Sequence, residues 1–437
     1  MTTVDALPTN DADPFGHDIL AEPDGFHAAL RDAGPVVYLS RYDVYALARY
    51  AEVRAALVDW QDLCSGAGVG LADFRRETPW RPPSLLLEAD PPRHDAPRRL
   101  LVDVLSARAL RTVREQWFAA AEELVDRVLA EREIDAVPAL AEAFPLSVFP
   151  DAVGVGQAGR ENLLPYGNFA FDAFGPYNDL VAGGLPHMPA WSGWVAAQCD
   201  RDALTEAGFG AEIWAAVDRG EITSAQAPLI VRSLLTAGVD TTVHGIAAVL
   251  YAFATHPEQW RRLRAEPRLA RVAFDEAVRW QSPVQTFFRT TTRDTRVAGA
   301  AIPAGRKILM FLGAANRDPR RWADPDVFDL SRDPAGQVGF GMGIHHCVGQ
   351  HVARLEAEAL LTALAARVGS IEQAGPACGT TTTRCGPGDR CRCACTEPIG
   401  RVSLRADVCG AGRRSADSWL TAGHFTGGAA ESAVEQG

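Results

Sequence analysis

Apolar residues recur along most of this chain at the three-to-four-residue spacing of helices that bury one face. An amphipathic helix is expected around Phe26–Arg31. Two short β-rich runs, Val36–Leu39 and Val44–Ala48, are separated by polar residues and predict a hairpin. A helix follows over Glu52–Val58, and residues 60–92 then lose all periodicity in a Gly-, Pro- and Arg-rich stretch. Loops of that length are usually functional. Helical spacing returns at His94–Leu105, Leu110–Glu133 and Arg160–Phe174, then along Ser224–Thr255, Glu258–Arg264 and Leu269–Arg279. Val284–Leu312 reads as β-rich, and Val348–Val368 as the last helix. No internal repeat is present. The pattern predicts a mainly α fold with a minor β region.

The two ends differ from this body. Residues 1–21 are polar and acidic and are expected to be disordered, leaving residues 22–375 as the folded domain. The tail, 376–437, has no apolar periodicity and is expected to be atypical and poorly ordered. Six of the nine cysteines fall beyond residue 377, whereas the body carries only Cys64, Cys199 and Cys347. Such sparse use fits a reducing compartment rather than a disulfide framework. Alternating Cys391, Cys393 and Cys395 do not match the usual spacing of a zinc site. A net charge of −12 argues against nucleic acid as a partner. With no uninterrupted apolar run of about eighteen residues and no signal peptide, the expectation is a cytoplasmic protein without a membrane segment.

The chemistry concentrates at Phe340-Gly-Met-Gly-Ile-His-His-Cys347-Val-Gly349. A glycine-rich turn carries one cysteine directly into a helical pattern. Free N–H groups and the helix dipole at that position favour a thiolate. Glycines 341, 343 and 349 let backbone approach a flat ligand. A cysteine thiolate there suits a haem iron, because it pushes electron density onto the metal and favours O–O cleavage. The segment resembles the haem loop of the cytochrome P450 superfamily, with Phe340, Gly341, Gly343, His345, Cys347, Gly349, Ala353 and Arg354 all matching.

That resemblance implies the P450 fold, heme b with Cys347 as axial ligand, and dioxygen as co-substrate. It implies roles elsewhere too. Ala237-Gly238-Val239-Asp240-Thr241-Thr242 resembles the oxygen-activating segment, with Asp240 and Thr241 as the proton-handling, catalytic pair. A mid-helix glycine costs about 1 kcal/mol, and an adjacent threonine can bend the helix by bonding the previous turn, so a groove is expected there. Glu276 and Arg279, three apart on one helical face, resemble the structural ion pair that steadies the core beneath the haem. His94, Arg98, Arg289 and His345 match positions that bind the propionates. Carboxylates entering an interior need such charged donors.

Within the superfamily the likeness is to bacterial monooxygenases of para-substituted benzoates, the 4-methoxybenzoate O-demethylase type, over about Asp24 to Gly375. Ala33-Gly-Pro-Val-Val, Pro79-Trp-Arg-Pro-Pro-Ser-Leu, Phe144-Pro-Leu-Ser-Val-Phe-Pro-Asp-Ala and Ser282-Pro-Val-Gln-Thr-Phe-Phe-Arg carry it. It implies that Arg81, Ser84 and Ser233 hold a small aromatic carboxylate, with Arg232 supplying positive potential. The ring would lie against Leu87, Phe171, Phe174, Ala237, Val284 and Phe287. Thr236 stands where serine is expected, adding a methyl group. Electrons would come from an iron–sulfur ferredoxin and an NAD(P)H-dependent flavin reductase, serving a monomer. Back-translated and read one base earlier, Thr380–Thr396 resembles the family's closing β-segment, so a frameshift near residue 378 is expected to have replaced the native C-terminus. A haem-binding homologue with impaired turnover is the alternative that such a loss would produce.

Overall fold

The computed structural model describes residues 7–130, 134–373 and 402–406. Helices dominate. The first three are α1 (His17–Ala21), α2 (Pro23–Ala33) and α3 (Tyr50–Val58). Seven follow the long loop: α4 (Asp95–Val104), α5 (Ala107–Val128), α6 (Ala143–Val153), α7 (Leu163–Asp172), α8 (Asp179–Gly184), α9 (Met188–Ala197) and α10 (Phe209–Asp218). The C-terminal part adds α11 (Ala227–Ala237), α12 (Asp240–Thr255), α13 (Pro257–Ala265), α14 (Ala270–Gln281), α15 (Leu312–Asn316) and α16 (Gln350–Arg367).

Ten strands accompany them among the described residues: β1 (Thr9–Asn10), β2 (Val37–Leu39), β3 (Val44–Leu47), β4 (Leu63–Cys64), β5 (Thr286–Thr291), β6 (Thr295–Val297), β7 (Ala300–Ile302), β8 (Lys307–Phe311), β9 (Val368–Gln373) and β10 (Val402–Ala406). Six form a mixed sheet in the order β1-β2-β3-β8-β5-β4. The expected hairpin is β2–β3, with Tyr38 opposite Tyr45. Strand β8 is buried along its whole length and pairs with β3 in parallel and β5 in antiparallel fashion. The register sets Phe287 against Met310 and Arg289 against Ile308. Residues two apart on a strand share a face, so Phe287 and Arg289 point the same way, into the cavity described below.

The main core is helical. Helix α5 begins at Ser106, whose side chain accepts from the Ala109 N–H, a standard N-cap. Its buried stripe of Leu110, Trp117, Ala121, Leu124 and Val128 packs on α16, while α14 packs on both α12 and α16. The apolar stretch Ala227–Thr255 is long enough to cross a membrane by composition alone, yet 67% of its most apolar window is buried inside this fold. That is the behaviour of a core helix.

Several expectations are corrected here. Residues 7–21 are not frayed: β1 pairs in parallel with β2, and buried Phe15 stacks on Phe288 and meets Tyr42 edge-on. Ser224–Thr255 is two helices rather than one, divided at Gly238 and Val239. A Cβ on Gly238 would run into the Phe149 ring and lie 2.6 Å from the Leu234 carbonyl oxygen, so packing at the break admits only glycine. The expected Leu110–Glu133 helix starts at Ala107 and ends at Val128, and residues 131–133 lie outside the described residues. Helices α6 and α8 to α10 add to the expected set; α9, Met-Pro-Ala-Trp-Ser-Gly-Trp-Val-Ala-Ala, is apolar almost all round yet buries only Val195, whereas α10 buries Phe209, Ile213 and Ala216 on one face. Past the expected boundary at 375, β10 pairs antiparallel with β9, with Leu404 opposite Ile371. The expected frameshift and the tail cysteines otherwise fall outside the described residues.

Candidate active site

A cavity of about 250 Å³ opens between the start of α16, the α11–α12 junction, strand β5 and the long loop. Its apolar wall includes Leu87 from the loop, Phe171 and Phe174 from and just beyond α7, Ala237 from α11, and Val284 and Phe287 on the approach to and within β5. These residues, expected to meet an aromatic ring, are brought together. Phe174 lies 5.6 Å from Phe171 and 5.8 Å from Phe287, ring centre to ring centre.

Cys347 lines the same cavity, three residues before α16. Its backbone N–H donates to Phe340 O at 2.8 Å, closing the turn. Gly341 and Gly343 both have φ of +67°, a left-handed backbone that suits glycine. Burial pushes the Cys347 thiol up, opposed by the Gly349 and Gln350 backbone N–H groups and by Arg98 and Arg354. The helix start does favour the thiolate as expected, but in the bare chain desolvation wins. A bound metal ion reverses that balance, since a coordinating thiol is deprotonated outright.

Arg98, Arg289 and His345 also line the cavity, whereas His94 stands behind it with its ring 4.8 Å from that of His345. Arg289 is wholly buried, and desolvation lowers its pKa to about 10. Burial likewise pushes both imidazoles below their usual range, His94 further under the influence of His345 and Arg98. Among the described residues, Nε2 of His94 and of His345 are buried without a hydrogen-bond partner. His345 Nε2 is 3.8 Å from Asp90 Oδ1, too long to count as one. Buried polar atoms left unpaired call for a ligand. One sulfur, two imidazoles and two guanidinium groups around an apolar cavity fit a haem and its two propionates.

The α11–α12 junction supplies the next group. Four hydroxyls turn back on the preceding turn: Ser233 to Leu229 O at 3.0 Å, Thr236 to Arg232 O at 2.8 Å, Thr241 to Ala237 O at 2.9 Å and Thr242 to Gly238 O at 3.3 Å. Such back-bonding bends helices. Thr236 and Thr241 line the cavity, but Asp240 is not among the lining residues. It is 3% exposed, and its Oδ1 lies 3.1 Å from Nε2 of His244, one turn further along. Glu356 on α16 is also wholly buried. Burial pushes its carboxyl well above the ordinary range, against the pull of the Thr242 hydroxyl.

The polar corner is built from the loop and α11. Ser84 Oγ and Ser233 Oγ are 3.2 Å apart, and Arg232 donates to Pro82 O at 2.7 Å. Burial lowers the pKa of Arg232, with Arg81 adding to the effect. Arg81, expected to be available to a substrate anion, is already engaged. It forms two hydrogen bonds to Glu88, at 2.8 and 3.2 Å, and Glu88 also accepts the Ser84 N–H at 2.7 Å. Glu276 and Arg279 lie outside the cavity, both 0% exposed, joined at 2.7 and 2.8 Å. Arg279 donates further to Asn316 O, Pro325 O and Val327 O, and Glu276 accepts from Arg332.

Sequence reasoning missed Glu88, His244 and Glu356. His244 could have been found from its four-residue spacing to Asp240, which puts both on one helical face. Glu88 carried no such signal, since its partners are set by an irregular loop.

Comparison with known proteins adds independent findings. The Cytochrome P450 family model matches residues 215–367. Cytochrome P450 CYP199A2 of Rhodopseudomonas palustris is 57% identical over 365 residues, covering 83% of this chain and 89% of the relative. The beta-dihydromenaquinone-9 omega-hydroxylase of Mycobacterium bovis is 33% identical over 378 residues, covering 85% and 76% of the two chains. Among solved structures, cytochrome P450 CYP109Q5 from Chondromyces apiculatus superposes with a TM-score of 0.73 at 28% identity, over 92% of this chain and 99% of that one.

Proposed function

The chain belongs to the cytochrome P450 family and is a P450 monooxygenase; from that premise we propose that its substrate is a small para-substituted aromatic carboxylate such as 4-methoxybenzoate, which it O-demethylates. One observation carries this reading: besides Arg98, Arg289 and His345, assigned to the haem, and the threonine hydroxyls of α11 and α12, the Phe-lined cavity has one charged group, the corner of Ser84, Ser233, Arg81 and Arg232. A buried carboxylate needs hydroxyl and guanidinium partners, and an aromatic ring needs the wall of Phe171, Phe174 and Phe287.

The division of labour follows from the residues. Ser84 donates to the substrate carboxylate, Ser233 joins it by turning its single proton away from Leu229 O, and Arg232 balances the charge. The phenylalanines hold the ring and exclude water, so the para group faces the part of the cavity bounded by Thr241 and Cys347. Cys347 holds the haem by its thiolate, and His94, Arg98, Arg289 and His345 hold its propionates. Haem on a thiolate ligand supplies the activation of dioxygen. Thr241 keeps acceptor capacity beyond its bond to Ala237, and Asp240, steadied by His244, resupplies the proton at the Thr241 hydroxyl. Electrons arrive from an iron–sulfur ferredoxin and an NAD(P)H-dependent flavin reductase in the cytoplasm.

The test is direct. Reduced, haem-loaded protein with carbon monoxide should give the thiolate-type Soret band, and Cys347→Ala should lose it. With ferredoxin, reductase and NAD(P)H, 4-methoxybenzoate should yield formaldehyde and 4-hydroxybenzoate in equal amounts. A normal carbon monoxide spectrum without product from any para-substituted benzoate would remove the substrate assignment.

A further inference from the structure

The carboxylate corner contains a charge that its proposed ligand does not explain. Glu88, with its side chain 2% exposed, sits inside the loop and takes up both terminal nitrogens of Arg81. It also receives the backbone N–H of Ser84, whose hydroxyl in turn reaches Ser233. The recorded bonds of Arg81, two to Glu88 and one to Pro82 O, use three of its five N–H groups, and its buried Nε lacks a partner among the described residues, so donors remain for a guest. Two arginines and one carboxylate therefore leave a single positive charge at this corner.

We propose that Glu88 is a specificity-determining residue, setting how strongly the pocket prefers an anionic substrate over its neutral isostere. The inference rests on the carboxylate reading above. Within low-dielectric surroundings a second negative group close to Arg81 is felt strongly. Glu88 holds Arg81 away from full commitment to the substrate, so the anion is read by two hydroxyls and one uncompensated charge, that of Arg232. Binding strong enough to select the carboxylate is thereby kept short of trapping an anionic product.

The experiment compares dissociation constants for 4-methoxybenzoate and neutral 4-methoxybenzamide, by spin-state titration and equilibrium dialysis, on haem-loaded native protein and three variants. Glu88→Gln should raise the preference for the anion about tenfold, and Arg81→Gln should lower it about tenfold. The double variant, which replaces the ion pair by a neutral pair of similar shape, should return to within about threefold of the native preference. A merely structural role would move both single variants in the same direction, and that result, or no change in preference, overturns the proposal. Should Glu88→Gln fail to load haem, a double variant whose preference differs more than about tenfold from native overturns it equally. Failure of the native protein to bind 4-methoxybenzoate would instead refute the substrate reading, and this inference with it.

Discussion

The hydroxyl oxygens of Ser84 and Ser233 lie 3.2 Å apart although 149 residues separate them in the chain. One sits in an irregular loop and the other on α11, where it also donates to Leu229 O. Together they set two hydroxyls at the cavity edge, and Ser233 becomes a second donor to a guest when its single proton turns from Leu229 O. Hydrogen bonds to charged groups are worth about 1.5–3 kcal/mol. Ser84→Ala and Ser233→Ala should each weaken 4-methoxybenzoate binding about tenfold or more, read as the dissociation constant in a spin-state titration. Equal weakening for a neutral analogue would show that the hydroxyls shape the pocket rather than read the anion.

In the proposed function Thr241 and Asp240 serve the chemistry rather than binding. Thr241 lines the cavity, whereas Asp240 is buried beside it and held by His244. Thr241→Ala should leave the substrate dissociation constant nearly unchanged while lowering product formed per NAD(P)H consumed. Asp240→Asn should slow turnover about a hundredfold, the lower range for loss of a positioned acid or base. Stopped-flow kinetics and product analysis check both; unchanged turnover in Asp240→Asn would exclude it from proton supply.

The Glu276–Arg279 pair should matter for folding. Both side chains are 0% exposed, and Arg279 ties α14 to the carbonyls of Asn316, Pro325 and Val327. Removing Glu276 leaves a buried, uncompensated Arg279, and such a loss costs about 3–5 kcal/mol; removing Arg279 leaves Glu276 to Arg332 alone and frees three carbonyls. Arg279→Ala and Glu276→Ala should therefore sharply reduce haem-loaded yield and denaturant resistance. Arg279→Lys should not rescue, because an ammonium cannot form the fork to Glu276. Native-like stability of Arg279→Ala in a denaturant series would contradict this.

His27 gives a pH dependence with a definite sign. Burial, then Arg31 and Arg317, lower its pKa to about 3 from the model-compound 6.5. The folded state thus keeps His27 neutral where the unfolded chain takes up a proton. Its contribution to stability is fully present above about pH 6.5 and is lost as pH falls toward 3, at up to about 1.4 kcal/mol per pH unit. His27→Gln should flatten the fall in unfolding free energy between pH 6.5 and 4, measured by denaturant titration at each pH. An unaltered slope would place the acid sensitivity elsewhere.

Much of the fold and many residues of the candidate site are legible in the amino-acid order, for a physical reason. The Cys347 turn, the Glu276–Arg279 spacing and the glycine–threonine break at 238–242 are local, and their geometry is written into positions within one or two helical turns. The β2–β3 hairpin and the α16 helix are legible on the same grounds. Helices α8 and α9 are not, because each buries a single residue, Val181 and Val195, and so presents no stripe to read.

The sequence by itself determined the family and the candidates for its chemistry: one sulfur, an acid beside an alcohol, and a set of aromatic and hydroxyl side chains. Only the tertiary structure decided how those groups are already engaged. Arg81 is held by Glu88, Asp240 by His244, and the N-terminal segment by β2 and Phe288. A charged or hydroxyl group can bond whichever neighbour packing brings within about 3 Å, and for residues in different elements that neighbour follows from how the elements dock.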